Sequence, residues 1–472
     1  MLTRPDPKPP APDAARSEEA SSPPRPRILT AALEGPVVPT LLRLGIPTLI
    51  VLVVQTLVGV IETYFVSFLG TEAIAGVAMV FPVLMLMQMM ANGGMGGGVS
   101  SAVARALGAG KPDDAAAVLW HALLLSVVFG IVFTVLPLAF GPWLYRSLGG
   151  EGGALAAALS YSNTLFLGAI LSWVMALLAA ALRGTGNVTV PAYVTLGGAV
   201  VLVPLSPALI FGIGPVPAFG VAGAGIAIII YYALATIVFV IYLRSSRSPL
   251  PLRITRFEWR FVSAIMRVGG LSAIGTIVSN LTVVLVTGSV GLYGTKAIAG
   301  YGIASRLDYL LIPLLFGIGT AAVTIIGANV GAGQAERARH IAWVTALIGV
   351  AMTGTIGILA ALFPNAWSGL FTSDPEVLAI SAQYLRIVGP SYMFFGAAMM
   401  LYFCSQGAGR MIWPVTGGAI RMIIAGGVGW VISVKFGVDL HVVYWIVAAA
   451  SVVFCAITVF AVSRPNWGQR FA

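Results

Sequence analysis

From about residue 41 to residue 464 the chain is a succession of long apolar runs separated by short polar breaks. Twelve of these runs reach the roughly 20 residues that an α-helix needs to cross a bilayer. The first six lie at 44–67, 75–104, 117–145, 158–181, 190–212 and 218–243, and the second six at 268–290, 298–329, 341–363, 378–405, 412–434 and 440–462. A membrane strand needs only about 9–11 residues of alternating polarity. These runs are longer and apolar throughout, so the pattern predicts an all-α integral membrane protein with twelve transmembrane helices. The longest connection, "RSSRSPLPLRITRFEWRF", falls between runs six and seven.

The pattern also repeats. "LGTEAIAG" at Leu69 returns as "LYGTKAIAG" at Leu292, with Gly70 and Gly294 in register (294 − 70 = 224). "RALGAGKPDDA" returns as "ANVGAGQAERA", and "RGTGNVTVP" returns as "QGAGRMIWP". In the last pair Gly184 and Gly407, Gly186 and Gly409, and Pro191 and Pro414 all stand 223 apart. Glycine-rich loops resemble one another by composition, but composition does not hold three landmarks at one offset. Six spans is an even number, so both halves enter from the same side and the repeat is parallel. The expected organisation is a lobe over 41–250, a second over 251–464, and a short cytoplasmic tail over 465–472. Residues 1–40, "RPDPKPPAPDAARSEEASSPPRPR" among them, lack the apolar core of a signal peptide and read as a disordered, Pro-rich cytoplasmic tail.

Composition agrees with this picture. The chain is 58% hydrophobic and 9% charged, with a mean hydropathy of +0.97, whereas an ordinary soluble domain is about a quarter charged. The net charge of +10 reflects basic loops and not a nucleic-acid partner. Twenty of the 26 lysines and arginines fall on the side of the tail, while Arg146, Lys296 and Lys435 face the other way and Arg306, Arg386 and Arg421 lie within spans. The positive-inside rule then makes both termini cytoplasmic, in a cell inner (plasma) membrane. Cys404 and Cys455 both sit in apolar runs, which excludes a disulfide framework.

"LGIPTLIVLVVQTLVGVIETYFVSFLGTEAIAG", "ARALGAGKPDDAA", "LRGTGN" and "RLDYLLIPLLFGIGTAAVTIIGANVGAGQAERA" resemble the multidrug and toxic compound extrusion (MATE) family over nearly everything after the tail. The resemblance implies two pseudo-symmetric six-helix lobes around a central cavity. It also implies efflux of organic, often cationic, solutes driven by entry of a proton or sodium ion.

Of sixteen acidic residues, only Glu62 and Asp308 lie inside apolar runs. An ionised side chain at mid-membrane costs about 2.5–3.5 kcal/mol on insertion scales, so such residues tend to line cavities and carry function. Glu62 lies about five residues from the outer end of run one, roughly 7–8 Å deep at about 1.5 Å per residue, where water at the headgroups is the structural alternative. The resemblance gives its position, followed by Thr63, to the family's proton-accepting aspartate, here with one more methylene. Asp308 lies about ten residues into run eight, roughly 15 Å deep. A buried structural pair with Arg306, Arg386 or Arg421 is the alternative to a role in binding, and an acid after "RL" recurs in some branches of the family. Some sodium-coupled members of the family carry a glutamate in the seventh span, where this chain has Asn280, and an aspartate in the tenth, where it has none. The resemblance therefore favours H+ over Na+ as the coupling ion.

Gln55, Thr56, Asn280, Thr282 and Arg306 are candidate cavity-lining residues, although helix packing accounts for small polar residues equally well. "ANGGMGGGVSS" lacks the Lys-Ser or Lys-Thr of a phosphate loop and reads as a packing or hinge segment. His121 and His340 stand at span starts as interface residues. No metal cluster, cofactor site or nucleophile arrangement is present in the sequence, so the chain does not read as an enzyme. The expected partners are small organic solutes and the lipid bilayer, with the protein a monomer. The alternative function is a lipid-linked precursor flippase of related fold, whose cavities tend to be basic.

Overall fold

The computed structural model describes residues 27–213 and 216–469; the expectations for residues 1–26 and 470–472 fall outside the described residues. All twelve expected runs are helical. Spans 1 to 6 are Val37–Ser67, Thr71–Gly108, Pro112–Ser147, the pair Gly152–Leu167 and Ala169–Gly184, Thr189–Gly212, and Val221–Arg244. Spans 7 to 12 are Trp259–Gly291, Thr295–Gly331, Ala335–Leu362, Pro375–Ala408, Ile412–Phe436, and Leu440–Ser463. Span 4 bends by 50° at Gly168, where Thr134 of span 3 donates to the Phe166 carbonyl at 2.8 Å. A side chain that takes up a carbonyl near the break is an ordinary cause of a kink.

The spans form two six-helix lobes, and the repeat seen in the sequence is present in the backbone. Spans 2 and 8 both start after a glycine in the left-handed region, Gly70 at φ 100° and Gly294 at φ 99°, where an L side chain would be strained. The lobes also exchange contacts across a pseudo-two-fold axis. Ser101 donates to the Gln406 carbonyl at 2.7 Å, and its counterpart Thr324 donates to the Arg183 carbonyl at 2.9 Å; both pairs of positions stand 223 apart. The backbone of Gly108 lies against Ala328, and that of Gly331 lies against Arg105, so that a Cβ on either glycine would collide with the facing main chain. All of these contacts belong to the halves of spans 2 and 8 nearer the face that carries the chain termini, here the terminal face. Span 1 packs across the axis, with Gly45 against Gly317 and Ile318 of span 8.

Two expected tails are partly structured. Arg27–Glu34 is a helix, whereas the composition of 1–40 predicts disorder throughout. Ala32 and Leu33 are buried, Asn329 donates to the Ala32 carbonyl at 2.9 Å, and Arg337 donates to the Gly35 carbonyl at 2.6 Å. Burial of two apolar side chains and capture of two free carbonyls offset the ordering cost that composition alone cannot weigh. Beyond span 12, Trp467 is 3% exposed and donates through Nε1 to Ser405 Oγ at 3.1 Å. The connection between spans 6 and 7 is held by His121, which is fully buried. Its Nδ1 faces the Ala117 carbonyl at 2.7 Å, and its Nε2 accepts from the Glu258 N–H at 2.9 Å. Both ring nitrogens are thereby occupied.

Candidate functional site

In the first lobe, Glu62 projects from span 1 into electrostatic range of Tyr161 of span 4 and Tyr232 of span 6. Its Oε1 is buried and has no hydrogen-bond partner. A polar chain continues inward from there: Gln88 Nε2 donates to the Tyr232 hydroxyl at 2.5 Å, and Asn92 Nδ2 donates to Gln88 Oε1 at 3.1 Å. Asn92 in turn lines a cleft between the lobes together with Gly93, Ser100, Arg183, Phe316, Thr320, Phe403 and Gln406. Gln88 and Asn92 stand at the junction of the α-helical outer part of span 2 with its π-helical segment Met90–Met95. Such segments recur at functional sites because the wider turn displaces side chains from the α register.

In the second lobe, Asp308 of span 8 is enclosed by span 10. Tyr384 donates to Oδ2 at 2.8 Å and Tyr392 donates to Oδ1. Tyr301 and Arg421 lie within electrostatic range. No ion pair within 4.0 Å joins Asp308 to an arginine among the described residues. Arg306 is exposed and stacks over the Phe371 ring at 5.0 Å, and Arg386 is also exposed. The structural pair weighed from the sequence is therefore replaced by a tyrosine cage.

The candidate cavity-lining residues divide. Gln55 is exposed and lies beside Tyr231 without a well-formed hydrogen bond. Thr56 is exposed, its hydroxyl turned back to the Leu52 carbonyl at 2.9 Å. Asn280 reaches from span 7 to Met89 Sδ of span 2 at 3.7 Å. Thr282 is buried and spends its hydroxyl on its own helix, at the Val278 carbonyl, 2.7 Å away, which leaves it nothing polar to present. Sequence reasoning missed the tyrosines, Gln88 and Arg183. One signal for two of them was available: Tyr161 and Tyr384 stand 223 apart and face the two membrane acids.

The family model MatE matches the chain twice, over residues 47–208 and 271–431. These segments start 224 apart and end 223 apart, the spacing of the repeat, and together they cover more than half of the chain. The chain belongs to the MatE family. MatE proteins are transporters and not enzymes, and they use a coupling cation. The FAD transporter of Shewanella oneidensis is 27% identical over 76% of this chain and 80% of its own length. The probable multidrug resistance protein NorM of Thermotoga maritima is 27% identical over 79% of this chain and 81% of its own length. Among solved structures, the outward-facing conformation of a multidrug resistance MATE family transporter superposes with a TM-score of 0.82 at 24% identity, over 93% of this chain and 97% of that one. That likeness establishes the shared fold of this MatE chain.

Proposed function

We propose that this MatE protein is a secondary active multidrug exporter that expels organic solutes by antiport against an entering cation, with the proton favoured over sodium. Glu62 is the coupling carboxylate in this reading. The observation that carries it is the buried, unpartnered Oε1 of Glu62 among Tyr161 and Tyr232. An ionised carboxylate is costly there, and a protonated one gains an O–H that can donate to a neighbouring hydroxyl. Loading and unloading of one proton then changes what span 1 can pack against. A ligand that binds two arrangements unequally shifts the balance between them. Asp308, held by two hydroxyls, supplies a fixed anion in the second lobe for a cationic solute or ion. The preponderance of basic residues on the terminal face supports cytoplasmic termini in a plasma membrane. The packing of the lobes at that face is then an arrangement closed to the cytoplasm.

The test is efflux from proteoliposomes under an imposed pH gradient. Wild type should extrude a dye such as ethidium, Glu62→Asp should retain part of the rate, and Glu62→Gln should lose the response to the gradient. Gradient-driven efflux by a folded Glu62→Gln at the wild-type rate would refute the assignment, and a response to a sodium gradient alone would replace the proton by sodium.

A further inference from the structure

The segment that leads into span 1 belongs to the first lobe by sequence and to the second by contact. Helix Arg27–Glu34 is separated from span 1 by Gly35 and by Pro36, which is extended at φ −64° and ψ 135°. The carbonyls at the end of a helix have no partner within it, and here the second lobe takes two of them. Asn329 of span 8 donates to the Ala32 carbonyl at 2.9 Å, and Arg337 of span 9 donates to the Gly35 carbonyl at 2.6 Å. Ala32 and Leu33 are buried in one apolar cluster with Ile325, Ala328 and Ile341 of the second lobe and Val188 of the first. The helix also lies against span 2 of the first lobe. Asn329 stands between Ala328, which faces Gly108, and Gly331, which faces Arg105. The helix is therefore seated on the closest approach of the two lobes.

The segment that leads into span 7 does the converse. His121 of span 3 accepts from the Glu258 N–H at 2.9 Å, and Asp114 of span 3 pairs with Arg260 at 3.2 Å. Asp114 and Arg337 stand 223 apart, so one position of the third span in each lobe ties down the lead-in of the other lobe. We propose that these two lead-ins are straps that hold the terminal face shut. Helix Arg27–Glu34 is the stronger strap, and it must leave its seat on the second lobe before the lobes part there. Its ties are buried at Leu33, whereas the Arg260 side chain is 59% exposed, where an ion pair contributes little. The inference rests on the efflux reading in one respect, that alternating transport requires this face to open. A contact made in the closed arrangement and lost in the open one adds to the share of the closed state.

Distances between spin labels test this without transport or an ion gradient. Lys111 and Gln334 are exposed, stand 223 apart and lie on the terminal face of the first and second lobes. Labels there, in the full chain with Cys404→Ala and Cys455→Ala, report opening of that face. A single label at Glu34, which is exposed in the dock, reports by its mobility whether the helix is seated. Wild type in detergent should give a dominant short distance and an ordered Glu34 label. Leu33→Asp should free that label and raise the ratio of long to short distances by about tenfold or more, the scale of removing one buried leucine. Arg337→Met keeps the apolar stem and loses the donor; it should move the ratio the same way by about threefold to tenfold. A freed helix with unchanged distances in both variants would overturn the proposal. Opening of wild type on addition of ethidium with the Glu34 label still ordered would also overturn it, and would leave the efflux reading intact. Opening in Leu33→Asp, with ethidium leaving the wild-type distance unchanged, would uphold the strap and count against the efflux reading.

Discussion

The two lobes share a frame and differ in what they do with a buried acid. Tyr161 and Tyr384 hold the same repeat position, yet the acid that faces them comes from span 1 in the first lobe and from span 8 in the second. Asp308 has both oxygens occupied by tyrosine hydroxyls, whereas Glu62 keeps one oxygen buried and free. A further divergence lies in spans 5 and 11. Arg421, in electrostatic range of Asp308, corresponds to Gly198, which packs against the ring of Tyr231. The second lobe therefore surrounds its acid with donors and a cation, and the first leaves its acid underserved. The two lobes hold similar positions, and substitutions within them leave one acid with both oxygens bonded and the other with one oxygen buried and unpartnered.

On the proposed reading the largest effect should come from Glu62. Glu62→Gln is expected to reduce pH-gradient-driven dye efflux to the background of empty liposomes, with Asp308→Asn retaining the response to the gradient. If both variants lose gradient response equally while folded, the division of labour is wrong. Next, Asp308→Asn should weaken binding of a cationic dye by about tenfold, the scale of losing one interaction with a charged group, as read by fluorescence polarisation.

A smaller contrast concerns stability. Tyr392→Phe removes a donor to a charged oxygen and should cost about 1.5–3 kcal/mol, seen as a lowered thermal midpoint in detergent. Tyr161→Phe removes a hydroxyl with no comparable bond to its acid and should shift the midpoint far less. Equal shifts would mean that the two cages are energetically alike. The smallest effect tests the symmetry of the seam. Thr324→Val deletes its bond to the Arg183 carbonyl and should cost about 1 kcal/mol; Ser101→Ala deletes the equivalent bond and also an acceptor of Arg105, and should cost more, both leaving dye affinity unchanged. Equal costs would show that the Arg105 bond to Ser101 adds nothing to the seam.

The hydrophobic runs were sufficient to locate all twelve spans, because a bilayer crossing demands length and apolarity that little else in a sequence mimics. The register was legible for a related reason. Gly70 and Gly294 answer to backbone conformation, and Gly108 and Gly331 to close approach, and neither demand tolerates substitution. The membrane acids were legible because charge is rare in apolar runs. Their surroundings were not: Tyr232, Tyr392 and Gln88 look like ordinary membrane residues until tertiary packing turns their polar ends toward an acid. Arg183 was hidden in a second way, since its position at a span end suggested only a contribution to the positive-inside count. The helix at Arg27–Glu34 was obscured by the proline and charge around it, and only its dock reveals why it orders.

That dock has a consequence for how the protein is made. Ala32 and Asn329 are 297 residues apart, and Gly35 and Arg337 are 302 apart. A ribosome adds about 5–20 residues per second, so the helix waits on the order of 15–60 s for the chain that receives it. The first lobe must be threaded through the insertion machinery, and span 8 must be in place, before this helix can settle. One of the earliest pieces synthesised is therefore among the later ones to find its seat, and its docking marks a chain whose two halves have already met.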